Sequence, residues 1–249
     1  MWPARCVMLP LLSAACVTAA RADDAAECRA ILDRAVKAVG GWETLARRPA
    51  ASWKGEGTLY LGGSRPYSGR WTVHLPDRCR IELEIGSDAA GADKQKLLFV
   101  VDGDRGWTAS GGEVRAMSDS DLSFWREQLY FDWVVGLAPL RDPEFTLSRV
   151  DEKTVAGRAA VGVKVFRRDR PEVVLFFDKE DGRLVASELR VDGAVRVECG
   201  YAGYKDFDGV RHPAKVTMKR EGRDFLEGEI ADYARQAAAD DKLFEKPKP

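Results

Sequence analysis

Leu175-Phe176-Phe177-Asp178-Lys179-Glu180-Asp181-Gly182-Arg183-Leu184-Val185-Ala186 is one repeat of a pattern that runs from about Val161 to Tyr233. Apolar runs are cut there by acid-glycine pairs: Asp181-Gly182, Asp192-Gly193, Asp208-Gly209 and Glu221-Gly222. Such a pair between apolar runs is a strong hairpin signal, because glycine takes the positive φ that a twisted two-residue turn needs. The runs alternate. Val161, Val163 and Val165 share one face of a strand, as do Val195, Val197, Cys199 and Tyr201, with mostly polar partners between them. Period-two alternation places one face in a core and the other in water, so the stretch reads as an antiparallel meander.

The same grammar extends toward the N-terminus. Trp53 to Leu61, Arg70 to Leu75, Arg78 to Ile85, Lys96 to Val101 and Gly106 to Ala109 read as strands about Gly62-Gly63, Pro76-Asp77 and Asp102-Gly103. Gly86 to Asp93, rich in Gly, Ala and Asp, reads as a mobile loop. Two helices interrupt the strands. Cys28, Ile31, Leu32, Ala35, Val36 and Val39 recur at three and four, giving a helix capped by Asp23 or Asp24 and broken at Gly40-Gly41. Trp42 to Leu45 adds a short further turn. Ser118-Asp119-Ser120-Asp121 opens a second helix that ends near Gly136. Leu122, Trp125, Leu129 and Trp133 form one apolar row on it, and Phe124, Phe131 and Val135 a second. That is more apolar surface than a helix lying on one sheet needs.

Helix, about five strands, helix, then six or so strands, with no linker composition between them, predicts an α+β domain. Its frame is a single strongly curved antiparallel sheet, an unclosed half-barrel of about 11 strands, with both helices on the concave face. The domain spans 23–241. Residues 242–249, charged and proline-containing, read as a flexible tail.

Residues 1–22 read as a signal peptide: Arg5, an apolar run from Cys6 to Val17, and an Ala20-Arg21-Ala22 cleavage site. This predicts export across the inner membrane to the periplasm. The alternative is a lipoprotein signal with Cys16 lipidated. After cleavage Cys28, Cys79 and Cys199 remain, readable either as a disulfide plus a free thiol or as small buried apolar groups.

Thirty-nine basic against 40 acidic residues, without a basic stripe, argue against nucleic acid as a partner. The two histidines, His74 and His212, lack further ligands at metal-site spacing and read as incidental or core residues. No P-loop, H-E-x-x-H or G-x-S-x-G pattern occurs. Asp178, Glu180 and Asp181 could hold a cation in a turn, but without the spacing of a calcium loop. Glu82 and Glu84 share a strand face and are the only visible acid–base candidate, although alternating charges usually mark a wet face. No cofactor, metal or catalytic residue is expected. Six tryptophans, Trp42, Trp53, Trp71, Trp107, Trp125 and Trp133, are left without a role beyond packing. Some of them could line an apolar cavity between the sheet and the middle helix.

Several longer strings carry a resemblance. They are Ala38-Val39-Gly40-Gly41, Trp53-Lys54-Gly55, Leu129-Tyr130-Phe131-Asp132-Trp133 and Leu175-Phe176-Phe177-Asp178-Lys179. To these are added Tyr204-Lys205-Asp206-Phe207-Asp208-Gly209-Val210-Arg211-His212-Pro213 and Leu243-Phe244-Glu245-Lys246-Pro247. With them the chain resembles the LolA/LolB-like superfamily of bacterial envelope proteins. The resemblance implies an open barrel covered by helices, an apolar concave face that holds lipid chains, and no catalytic residue. The expected ligand contacts are Trp71, Trp107, Leu122, Trp125, Leu129, Trp133, Val163 and Val197. A monomeric carrier of a lipid or lipoprotein acyl chain is the leading expectation. An envelope sensor or protein-interaction module on the same fold is the alternative, and an enzyme acting on envelope material comes last.

Overall fold

The computed structural model describes residues 14–86, 94–191 and 195–248. The elements are α1 (Ala14–Ala38), α2 (Trp42–Arg47), β1 (Ala50–Tyr60), β2 (Ser64–His74), β3 (Arg78–Ile85), β4 (Gln95–Asp102), β5 (Arg105–Ser110), β6 (Glu113–Ala116) and α3 (Asp119–Val135). They continue as β7 (Thr146–Val155), β8 (Arg158–Phe166), β9 (Val173–Asp178), β10 (Leu184–Val191), β11 (Val195–Ala202), β12 (Lys205–Phe207), β13 (Val210–His212), β14 (Lys215–Arg220) and β15 (Arg223–Gln236).

Thirteen strands form one antiparallel, unclosed sheet in the order β6-β5-β4-β3-β2-β1-β15-β14-β11-β10-β9-β8-β7. Two wings, each a meander, are therefore joined at their centre by the first and last strands. Two of the expected turns form: Asp208-Gly209 and Glu221-Gly222 have φ of 53° and 78°, and 50° and 73°, positive at both positions as a type I′ turn requires. At Asp181-Gly182 only Gly182 has positive φ, 76°, and the connection between β9 and β10 is the longer loop 179–183 instead of a two-residue turn. The Asp192-Gly193 turn, the Gly86 to Asp93 loop after its first residue, and the signal expectations on residues 1–13 lie outside the described residues.

Four details differ from the sequence reading. The short strand β6 brings the main sheet to thirteen. The β12–β13 hairpin leaves that sheet as a separate ribbon. Its Arg211 N–H donates to Val39 O at 3.2 Å, which ties the ribbon to the end of α1. α1 begins at Ala14, so Asp23 and Asp24 lie inside it; Asp24 accepts the backbone N–H of Arg149 instead of capping. In the expected flexible tail, a short turn at Asp241–Phe244 packs on β3 and β4, and Phe244 is 1% exposed.

Helix α3 follows β6 and precedes β7, which are the two free edges of the sheet. At 17 residues it is about 26 Å long, and its side chains pack against both wings. Ser118 caps it, its Oγ accepting Asp121 N–H at 3.2 Å, and Asp119 and Asp121 place negative charge in the first turn.

The helix between the two wings as a candidate ligand site

The core is divided, and α3 contributes to both parts. Tyr130, Phe131 and Val134 join α1 and the β8–β11 wing, where Val161, Val163, Val165, Val173, Leu175 and Phe177 are buried. Leu129 joins the β1–β5 wing with Ala51, Val73, Cys79, Ile81, Val101 and Tyr233, and Leu122 and Trp125 pack against it. The helix thus turns one row of side chains toward each wing.

On the β1–β5 side the interior is aromatic. Trp53 stacks on Trp71 at 5.8 Å, with rings parallel to within 2°. Trp53 also meets Tyr233 at 6.2 Å, and Tyr233 in turn stacks on His212 at 3.7 Å. Trp125 contacts Phe99 at 4.9 Å. Trp53, Trp71, Phe99 and Trp125 are only half-buried, so this aromatic face keeps accessible surface.

Leu122, Trp125, Leu129 and Asp132 follow one another at spacings of three, four and three, which sets them in a single row. Asp132 therefore puts a carboxyl into an apolar stripe. Burial raises it to about 7, against a partial lowering by the hydrogen bond from Gln128 Nε2 to Oδ1 at 3.0 Å. Burial and the Asp132 charge also push the thiols of Cys79 and Cys199 up to about 12. Those thiols belong to opposite wings, so Asp132 stands where the two parts of the core meet. Nearby, Tyr201 shares a 2.8 Å hydrogen bond with the fully buried Ser187. Sequence reasoning passed over Asp132; the usable signal was an acid at a core position of an otherwise apolar row.

The structure separates the expected ligand contacts. Trp71, Leu122, Trp125 and Leu129 gather on the β1–β5 side. Trp133, Val163 and Val197 belong to the other part. Val163 is 0% and Val197 6% exposed, so in this state they are packed core and offer a ligand almost no surface. Trp133 meets Phe145 edge-on at 5.7 Å and helps line a small cavity of about 240 Å³ with Leu45, Leu75, Pro139 and Arg235.

Trp107 is a correction. It pairs with Val100, whereas Thr108 pairs with Phe99. Phe99 faces α3, so Trp107 lies on the opposite, outer face, with Arg105 5.8 Å from its ring.

The outer face also carries Glu82 and Glu84, which line a polar groove of about 940 Å³ with Lys54, Arg70 and Lys96. Glu82 pairs with Arg80 at 2.7 Å, and Glu84 with Lys96 and Lys94 at 3.5 and 3.7 Å. These are ion pairs of a wet sheet face. At Asp178, Glu180 and Asp181 the counter-charge is Arg158, within 2.9–3.1 Å of all three. His212 is held down to about 4 by burial, as a core histidine is. Cys28, Cys79 and Cys199 are all free and buried. Among the described residues, no helix is long and apolar enough to cross a membrane, and no group of three or more His, Cys, Asp or Glu could hold a metal ion.

An open sheet of two wings, bridged by a helix from edge to edge, defines a class of fold that recurs in solved structures. A LolA superfamily protein from Nitrosomonas europaea matches with a TM-score of 0.56 at 14% identity, over 88% of this chain and 97% of that one. A domain from Vibrio parahaemolyticus described as an outer membrane lipoprotein-sorting protein domain also matches with a TM-score of 0.56 at 14% identity, over 89% and 97%. A DUF1329 family protein from Desulfovibrio piger matches with a TM-score of 0.54 at 15% identity, over 88% and 97%. The chain has a LolA-like fold. No family model and no curated protein matches its sequence.

Proposed function

We propose that the protein is an extracytoplasmic carrier that holds a hydrophobic ligand between the concave face of the sheet and α3. The observation that carries this reading is the path of α3 between the two edges of the sheet, which sets its Trp125 on Phe99 in one cluster with half-buried Trp53 and Trp71. Burying an acyl chain there contributes about 0.8 kcal/mol per CH₂ without specific polar contacts. The name of the Vibrio parahaemolyticus domain supports a lipidic cargo. The ion-paired Glu82 and Glu84 favour binding over catalysis.

A second reading, a module that docks an envelope protein on the lid, draws on Phe124. This ring is 44% exposed on α3 and packs edge-on against Trp125 at 5.7 Å.

The test is titration of the purified mature chain with a polarity-sensitive hydrophobic dye. The carrier reading predicts saturable binding with a blue shift, competed by long-chain amphiphiles and weakened by Trp125→Ala. No saturable binding contradicts it. Stoichiometric capture of a protein with no dye binding favours the docking module.

A further inference from the structure

The cavity of about 240 Å³ at the end of α3 is walled by Leu45 of α2, Leu75 after β2, Trp133, and the Ala138-Pro139 turn. Arg235 of β15 is the one charged side chain among the described residues that line it. Its guanidinium is held in place by neutral oxygens. Nε donates to the Tyr233 hydroxyl at 3.0 Å, and Nη1 donates to Leu45 O at 3.3 Å and Arg48 O at 3.4 Å. Nη2 makes no hydrogen bond among the described residues. It lies at the cavity wall, 3.4 Å from where a Cβ on the lining residue Gly136 would sit. Arginines on the neighbouring segments are neutralised: Arg47 by Glu43 at 2.7 Å, Arg48 by Asp208 at 3.6 Å and Arg141 by Asp33 at 3.5 Å. Arg235 forms no ion pair among the described residues. An oriented guanidinium with a free nitrogen and no counter-charge, set among apolar walls, is suited to a planar carboxylate.

We propose that this cavity binds a small organic carboxylate, its charged end on Arg235 Nη2 and its compact apolar body between Leu45, Leu75 and Trp133. Trp53, Trp71, Phe99 and Trp125 take no part in it, so it is a second site, independent of the carrier reading. At roughly 30 Å³ for each water-sized group, the cavity takes about eight of them, which is a carboxylate on a body of about six carbons and not a long acyl chain. A phosphate fits less well, because its second charge would lose water against a single cation. A neutral amide of the same shape forgoes the charge-assisted bond, a difference of about tenfold in affinity.

Benzoate and benzamide share a shape and differ in charge. Their dissociation constants are measured at pH 7 by ligand-observed NMR titration of the purified wild type, of Arg235→Gln, and of Ala138→Leu, which fills the cavity and leaves the cation. Circular dichroism confirms that each variant is folded. Wild type should bind benzoate at least about tenfold tighter than benzamide. The preference should vanish in Arg235→Gln, and Ala138→Leu should weaken benzoate binding by at least about tenfold. Equal binding of the two probes by the wild type, or no benzoate binding, overturns the proposal without any variant. So does a preference kept by Arg235→Gln, or benzoate binding undiminished in Ala138→Leu. Should Arg235→Gln fail to fold, the wild-type comparison and Ala138→Leu decide. A hydrophobic dye should bind both folded variants as it binds the wild type, so failure of the carboxylate site leaves the carrier reading to its own test; loss of dye binding in either variant overturns the separation of the two sites.

Discussion

Trp53 and Trp71 are directly paired across the β1–β2 ladder, and their rings lie parallel at 5.8 Å. Two glycines make room for this stack. A Cβ on Gly55 would sit 3.0 Å from Trp71 Cζ3, and one on Gly69 would sit 2.9 Å from Trp71 Cη2. At Gly69 it would also meet Glu82 O at 2.7 Å, which is backbone and cannot swing away. Gly69→Ala should therefore destabilise by about 1–3 kcal/mol, as overpacking does. It should also perturb tryptophan emission, because Trp71 must move. Urea unfolding followed by fluorescence checks both; an unchanged midpoint and spectrum would contradict the packing described.

Asp132 makes stability depend on pH with a definite sign. Its folded value, about 7, lies above the ordinary value of 3.8, so the native state holds a proton that the unfolded chain has lost. The stabilisation is complete below pH 4 and disappears as pH rises toward and past 7. Asp132→Asn should gain stability relative to wild type across that window, by at most roughly 4 kcal/mol, and show a constant difference above it. His212 acts oppositely, lowered from 6.5 to about 4, but it is present in both proteins and cancels in the comparison. Thermal unfolding of both proteins at pH 4, 6 and 8 measures the difference; a flat difference would show that folding leaves the Asp132 carboxyl at its ordinary value.

Phe244 lies beneath Arg78, whose guanidinium carbon is 4.9 Å from the ring centroid, while Arg78 also pairs with Asp241 at 2.6 Å. Phe244→Ala should cost about 3 kcal/mol or more, the range for emptying a buried aromatic site. Chemical denaturation is the check, and a loss below about 0.5 kcal/mol, typical of surface positions, would return these residues to the status of a loose tail.

Three buried cysteines should be inert in the native protein. Cys28, Cys79 and Cys199 are buried, with thiols raised to about 11, 12 and 12, so almost no thiolate is present at pH 8. A disulfide-exchange reagent, with the modified sites mapped by mass spectrometry, should leave Cys28, Cys79 and Cys199 untouched in the native protein and modify all three in denaturant. Rapid reaction of one thiol without denaturant would contradict the packing around it.

Most of the fold was legible because it is local. Val161, Val163 and Val165 alternate, Asp208-Gly209 and Glu221-Gly222 demand twisted turns, and the α3 rows repeat at helical spacing. What was hidden is non-local. Nothing near Gly57 says that it will pair with Gly228, 171 positions on, and join the two wings. Trp107 could not be placed without the β4–β5 register, since a shift of one residue exchanges the faces. Phe244 reads as tail because its partner, Arg78, lies 166 positions earlier. Of the site, the aromatic composition was visible and the division of the core was not. The carboxyl of Asp132 was overlooked because it was read as part of a packing string.

The central claim is that the concave face beneath α3 holds a hydrophobic ligand, and what the protein carries through purification tests that most directly. The full chain should be expressed in a bacterial host, purified without detergent, extracted with organic solvent and analysed by mass spectrometry. The account predicts a co-purifying amphiphile at near-stoichiometric amounts, reduced in Trp125→Ala. A protein that emerges with no bound lipid, and whose interior excludes added amphiphiles as well, would contradict it.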